Sequence, residues 1–351
     1  MVNMMINFLA TLAAAAAGGV VFYHLHSPLP WMLGPLAATL VLGKYRPGRV
    51  CWPLTMREVG QLVLGYLMGR PFTAEVGLYI LSQLHLMLAM TVLLVLFSFA
   101  AGYLTHRQTG LSLPTTVLAT VPGGLTQMVL LSEEIAGADI GVVTVMQTLR
   151  MLSVVFTVPF LAIHGLAPAG PAAAALPGTV AAVGLADTLI FIVAVLVGAW
   201  LAVRIHLPTP YLLGPVLATA ALVIGGHTAP AVPQPLLNAA QIAIGTYMGT
   251  TIDFATLGNW RKILFATFLN VLALLVVALL IGYALAAAIP AGLVTAFLSA
   301  APGGMAEMGL TALILGGDVS VVVGYHMFRL LFILLVLPYF LRYWLKGRKP
   351  A

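Results

Sequence analysis

The residues able to do chemistry in this chain are few, and they come in pairs. Arg150 and Arg329 each stand inside a long apolar run, with Gln147 and His326 three residues before them. A spacing of i, i+3 places each pair on one face of a helix. Two such arginines could clamp a carboxylate or phosphate through paired N–H donors. They could equally neutralise Glu307, Asp139 or Asp318, or snorkel to the membrane surface. Glu307 is the other conspicuous residue, because a carboxylate in an apolar stretch needs a partner, a proton or a pore. Its counterpart in the chain is Gln127, which keeps the shape but cannot titrate. One titratable member of a matched pair suits proton or cation coupling, with His326 as a second candidate.

Glu307 and Gln127 follow the segments Pro302-Gly303-Gly304 and Pro122-Gly123-Gly124. Proline removes a backbone donor and paired glycines lack side chains, so a half-helix can begin there with free N–H groups facing a cavity. Such an end carries partial positive charge and favours an anion. The simpler reading is a kink, or a close helix crossing through small residues. Its presence in both halves favours a binding role for Gly123, Gly124, Gly303, Gly304 and Gln127. Gln61 and Gln241 lie in Gly-rich helices, where they either bond to neighbouring helices or contact a solute. Pro30-x-x-x-Gly34-Pro35 and Pro210-x-x-x-Gly214-Pro215 read as kinked or discontinuous helices. The eight histidines show no metal-ligand spacing, so neither metal nor cofactor is expected. There is no Walker A sequence to bind ATP.

These residues need a scaffold, and composition says what kind. The chain has 351 residues, 62% hydrophobic and only 7% charged, with mean hydropathy +1.09. A soluble domain cannot cover its surface with so few charges, so the lipid bilayer is the expected solvent. The net charge of +6 is no nucleic-acid footprint, because the basic residues sit in short clusters between apolar runs. Such clusters mark cytoplasmic loops. A single cysteine, Cys51, excludes an intrachain disulfide. The run from Met5 to Tyr23 has no basic residues before it and reads as a first spanning helix.

The chain repeats itself. His26-Ser27-Pro28-Leu29-Pro30-Trp31-Met32-Leu33-Gly34-Pro35 returns 180 positions later as His206-Leu207-Pro208-Thr209-Pro210-Tyr211-Leu212-Leu213-Gly214-Pro215. Gln61, Gly65, Met68 and Gly69 match Gln241, Gly245, Met248 and Gly249 at the same offset, and the Pro-Gly-Gly segments match in turn. Asp139 and Arg150 match Asp318 and Arg329 at an offset of 179. The expected organisation is repeat 1 over 1–164, a Gly/Pro-rich linker over 165–184 and repeat 2 over 185–351. Basic clusters change loop parity between the halves: Lys44, Arg46, Arg49 and Arg57 in the first, Arg204, Arg261, Lys262 and the C-terminus in the second. That shift predicts two inverted structural repeats. Arg70 stands outside the pattern. The expected fold is an all-α polytopic membrane protein with about ten transmembrane helices and two broken or re-entrant Pro-Gly-Gly segments.

The paired Pro-Trp-Met-Leu-Gly-Pro and Pro-Tyr-Leu-Leu-Gly-Pro stretches, with Val-Pro-Gly-Gly-Leu-Thr-Gln-Met and Ala-Pro-Gly-Gly-Met-Ala-Glu-Met, resemble the AbrB family of bacterial membrane proteins. The similarity covers essentially the whole chain. It implies a tandem duplication and a bacterial inner membrane location. Family labels such as ammonia monooxygenase and regulator of gene expression come with it, but no agreed catalytic residues. The residues themselves point to a secondary transporter, not an enzyme. A small anionic or zwitterionic solute would bind at Arg150 and Arg329, with coupling at Glu307 and His326. A membrane sensor or an oxidoreductase is the alternative. The expected partners are the solute and the bilayer, with no nucleic acid; Gly-rich surfaces leave room for a homodimer.

Overall fold

Backbone groups in lipid have no water to bond, so an apolar chain must satisfy them within helices. The computed structural model describes residues 2–46, 48–166, 184–251 and 260–346, and among them there are fifteen α-helices and no strand. Most of the expected linker lies outside the described residues. The first repeat holds α1 (Val2–His24), α2 (Pro30–Tyr45), α3 (Leu54–Gly69), α4 (Ala74–Ser82), α5 (Leu84–Thr109), α6 (Leu113–Thr120), α7 (Leu125–Glu134) and α8 (Ile140–Leu161). The second holds α9 (Leu185–Arg204), α10 (Pro210–Ile224), α11 (Gln234–Thr250), α12 (Trp260–Ala288), α13 (Leu293–Ala300), α14 (Met305–Ile314) and α15 (Val319–Lys346).

Six helices, α1, α5, α8, α9, α12 and α15, are long and apolar enough to cross a bilayer. Large apolar side chains such as Leu93 and Leu96 on α5 and Phe265 and Leu280 on α12 are exposed on their surfaces, which suits lipid and not water. This is a multi-pass all-α membrane protein. The helices α2, α3, α10 and α11 have 15–17 residues, roughly 22–26 Å of rise. The Pro-Gly-Gly segments are broken as expected: α6 and α13 have 8 residues and α7 and α14 have 10, each too short to span a core of about 30 Å.

Of the two readings for the Gly-Pro pairs, the discontinuous helix is corrected: the helices run on through Pro35 and Pro215. The irregular backbone comes just before, where His26, Leu29, His206 and Thr209 all have positive φ. For a side-chain-bearing residue that conformation costs roughly 1–2 kcal/mol. Pro30 and Pro210 then enter the helix at its first turn, where a missing N–H goes unfelt.

Compact units cut across the repeats. The first comprises Met1–Leu81, Ile163–Phe254 and Gly309–Ser320. Within it α2 packs on α1 and α11, and α10 packs on α9 and α3. Gly65 of α3 lies against the Leu212 carbonyl of α10, and Gly245 of α11 against the Met32 carbonyl of α2. A Cβ at either glycine would strike that carbonyl, so only glycine lets these backbones touch. The two contacts are related by the 180-residue offset, so one half serves as the other's partner.

The second unit comprises Ser82–Ala162, Ala255–Met308 and Val321–Ala351. Here α6 packs on α5 and α8, α13 on α12, and α12 on both α5 and α8. Val117, Leu118, Val121, Met128, Val143, Met146 and Ile333 form its core. Both Pro-Gly-Gly breaks lie in this unit.

Candidate functional site

Each break is written into the sequence by the same three residues. The residue before a proline is pushed to extended backbone, and Val121 and Ala301 have ψ of 129 and 139 as their helices end. In the first break Gly124 then takes φ 86, a region open chiefly to glycine, and a new helix starts. A helix stopped in this way leaves its last carbonyls without partners, and in an apolar core they must find some.

Arg150 and Arg329 are those partners. Arg150 Nη1 donates to the Val121 carbonyl at 2.8 Å, and Arg329 Nη1 donates to the Ala301 carbonyl at 2.8 Å. Gln147 Nε2 reaches the Leu118 and Val121 carbonyls at 2.6 and 2.9 Å. His326 Nε2 donates to the Leu298 carbonyl at 2.9 Å. The i, i+3 stripes on α8 and α15 thus cap the half-helices α6 and α13. A cation at a helix C-terminus is also favoured by the dipole, by up to about 2 kcal/mol when partly buried. The expected pairing with Asp139 or Asp318 is not made. Asp139 accepts from the Val142 N–H at 3.0 Å and Asp318 from the Ser320 N–H at 3.0 Å, so each caps the start of the long helix that follows it. Nor do the arginines snorkel, since only 8% of Arg150 and 4% of Arg329 is exposed.

Their bonding differs in a way that matters. Arg329 Nη2 adds bonds to the Gly303 carbonyl at 3.0 Å and to His326 Nδ1 at 2.9 Å. His326 thereby has both ring nitrogens engaged, one donating to a carbonyl and one accepting from a guanidinium. A proton added at Nδ1 would break the second bond, so this geometry gives His326 a structural task. Arg150 has its single carbonyl partner, and its Nε is buried with no acceptor. Gln147 Oε1 is buried and without a donor as well. Neither guanidinium makes a salt bridge among the described residues.

Beside Arg150 is a cavity of about 10 Å³, bordered by Ser98, Thr120, Thr267 and Asn270. That is room for about one water. Asn270 Nδ2 donates to Thr105 Oγ1 at 2.7 Å, and Thr120 Oγ1 donates to the Ser98 carbonyl at 2.9 Å. The positions 180 residues away from these four are Ala278, Ala300, Met87 and Met90, all buried and apolar or nearly so. The four polar positions beside Arg150 thus have apolar counterparts in the other repeat. Reading the sequence for charges alone passes over these four neighbours; comparing them across the offset would have found them.

Glu307 and Gln127 are the third residues of α14 and α7. Their side chains fold back over the helix start, so that Glu307 Oε2 and Gln127 Oε1 fill the space a Cβ on Gly304 or Gly124 would need. A carboxylate in the first turn is stabilised by the helix dipole. The second break thus carries a carboxyl group at the helix N-terminus, while the first carries an amide. Gly123 and Gly303 each lie against the thioether of Met128 or Met308. Gln61 and Gln241 are buried in the first unit, on α3 and α11, and do not belong to the unit that holds the arginines.

Comparison with known proteins agrees with this architecture. The family profile described as "Transition state regulatory protein AbrB" matches residues 31–345. A Bacillus subtilis (strain 168) protein, "Uncharacterized protein YhjN", is 26% identical over 94% of this chain and 91% of its own length. An Escherichia coli (strain K12) protein, "Putative regulator AbrB", is 26% identical over 92% of each. With the match running through both repeats and both breaks, the chain belongs to the AbrB family.

Proposed function

We propose that this protein is a secondary transporter, not an enzyme, in a bacterial inner membrane. It moves a small anionic or zwitterionic solute by alternating access, coupled to a proton or cation. The observation that carries the reading is Arg150, a buried cation at a broken helix with one carbonyl partner and an unpartnered Nε. Leaving a buried donor unpartnered costs about 1–3 kcal/mol, and an anionic group reaching it would remove that penalty.

Discontinuous helices at membrane depth are how transporters present backbone and charge to a solute. The first break has the qualities of a solute site: a neutral Gln127, an under-used guanidinium and a small cavity bordered by four polar side chains among apolar ones. The second has those of a coupling site, where Glu307 is held at the start of α14 and Arg329 bonds to two carbonyls and to His326. Alternating access also needs two bodies, and the chain folds as two compact units, each drawing on both repeats. Inverted repeats, with the change in loop-charge parity behind them, would make the two access states near mirror images. Both relatives come from bacteria, which suits an inner membrane location.

The test is uptake into proteoliposomes by the purified full chain, with a panel of radiolabelled carboxylates and amino acids under an imposed pH gradient. Uptake of at least one solute, abolished by Arg150→Lys in a protein of unchanged thermal stability, is the expected result. No uptake across the panel, or full activity of the Arg150→Lys variant, would defeat the reading.

A further inference from the structure

Arg70 has no place in the loop-charge pattern, and the site at the breaks does not use it. It directly follows α3 in the first unit and lines a cavity of about 610 Å³ with His227 and Asp318. That volume lies within the range of about 300–1,000 Å³ usual for small-molecule sites. The rest of the lining includes Leu67, Val223 and Leu313. Charge and apolar surface thus share one concave space.

The two formal charges are held by different elements. Arg70 stands at the C-terminal end of α3, where the helix dipole favours a cation, and Asp318 precedes α15, where it favours an anion. Asp318 Oδ1 accepts from the Ser320 N–H at 3.0 Å and from the Ser320 hydroxyl, so the carboxylate is fixed in place. Arg70 is held only weakly, by Nη2 donating to the Ala229 carbonyl at 3.4 Å, and its Nε is buried without an acceptor. His227 turns to Asp187, with Nδ1 and Oδ1 3.8 Å apart. The repeat counterpart of Arg70 is Thr250, so the second repeat has no arginine at the matching position.

We infer that this cavity is a recognition vestibule for a small zwitterion, its carboxylate on Arg70, its cationic group toward Asp318 and a short apolar side chain against Leu67, Val223 and Leu313. A purely anionic solute would leave Asp318 repelling it, and a purely cationic one would meet Arg70. The vestibule deepens the transport reading by assigning the class of solute; its purpose rests on that reading, but its binding does not.

The experiment is equilibrium titration of the purified full chain in detergent micelles with three probes on one carbon skeleton. Leucine carries both charges, 4-methylpentanoate lacks the ammonium group, and 3-methylbutylamine lacks the carboxylate. Leucine is expected to bind at least tenfold more tightly than either of the others. Arg70→Gln should weaken leucine and 4-methylpentanoate at least tenfold. Asp318→Asn, which keeps a capping side chain on α15, should weaken leucine alone, to the level of 4-methylpentanoate. Thermal unfolding midpoints within a few degrees of wild type establish that both variants fold, and Arg70→Lys, which keeps the charge, should recover part of the binding. Leucine and 4-methylpentanoate binding equally, leucine indifferent to Arg70→Gln, or no binding of leucine at all would each overturn the vestibule. Uptake is not part of this readout. Leucine binding that persists in Arg150→Lys, or in a protein that transports nothing, would leave the vestibule standing while the transport reading falls.

Discussion

The two Pro-Gly-Gly breaks share a backbone and differ in how their charges are used. At the second, Arg329 gives its N–H groups to the Ala301 and Gly303 carbonyls and to His326, and Glu307 occupies the start of α14. At the first, Arg150 gives one bond to Val121, and the start of α7 has the neutral Gln127. Duplication supplied two like sites, and substitution at a handful of positions has left one arginine with three hydrogen bonds and the other with one. A charge that already has its full set of partners can hold a fold together, while one that lacks them is available to a ligand.

The comparison can be broken most severely at Arg329. Arg329→Ala would strand the carbonyls of Ala301 and Gly303 in an apolar core, a loss of about 3 kcal/mol or more. Thermal unfolding of the purified variant should show it, or folded protein should not be recovered. The matching change, Arg150→Ala, leaves the Val121 carbonyl with its bond from Gln147, so its loss should be smaller by about 1–2 kcal/mol. Equal losses would mean that the two arginines do the same job.

Next in size is Arg150→Lys, which keeps the charge but replaces the planar guanidinium fork with a compact ammonium. Solute uptake should fall on the order of a hundredfold, about 3 kcal/mol of recognition, while the unfolding midpoint stays near wild type. Glu307→Gln turns the second break into a copy of the first. Exchange of solute should persist while accumulation driven by a pH gradient disappears, as measured in proteoliposomes with and without the gradient. Replacing Asn270 by Met, the residue at its repeat counterpart, should make the surroundings of Arg150 resemble those of Arg329 and lower uptake several-fold. The smallest effect belongs to His326→Gln. An amide at that position can donate to the Leu298 carbonyl as Gln147 does to Leu118, so stability should change by about 1 kcal/mol or less and coupling should survive. Loss of pH-driven uptake in that variant would return the coupling role to His326.

Much of this was legible in the sequence. Hydropathy set the solvent, because no arrangement of so few charges could cover a soluble surface. The duplication showed as ordered Pro, Gly, Gln, Asp and Arg matches. Pro122 and Pro302 marked where helices stop, since a missing N–H and a crowded preceding residue act locally whatever the fold around them. That Arg150, Arg329 and Glu307 would be buried and need partners or protons followed from the expense of charge in an apolar run.

Only the tertiary structure decided what those residues are bonded to. Nothing in the string of residues says that Arg150 meets the carbonyl of Val121, 29 positions earlier, in place of Asp139 or Glu307. Nor does it say that the compact units each take half of every repeat, or that Arg70, Asp318 and His227 border one cavity. The reason is range: a helix stop depends on a few neighbouring residues, while the partner of a buried charge depends on which distant segments close around it.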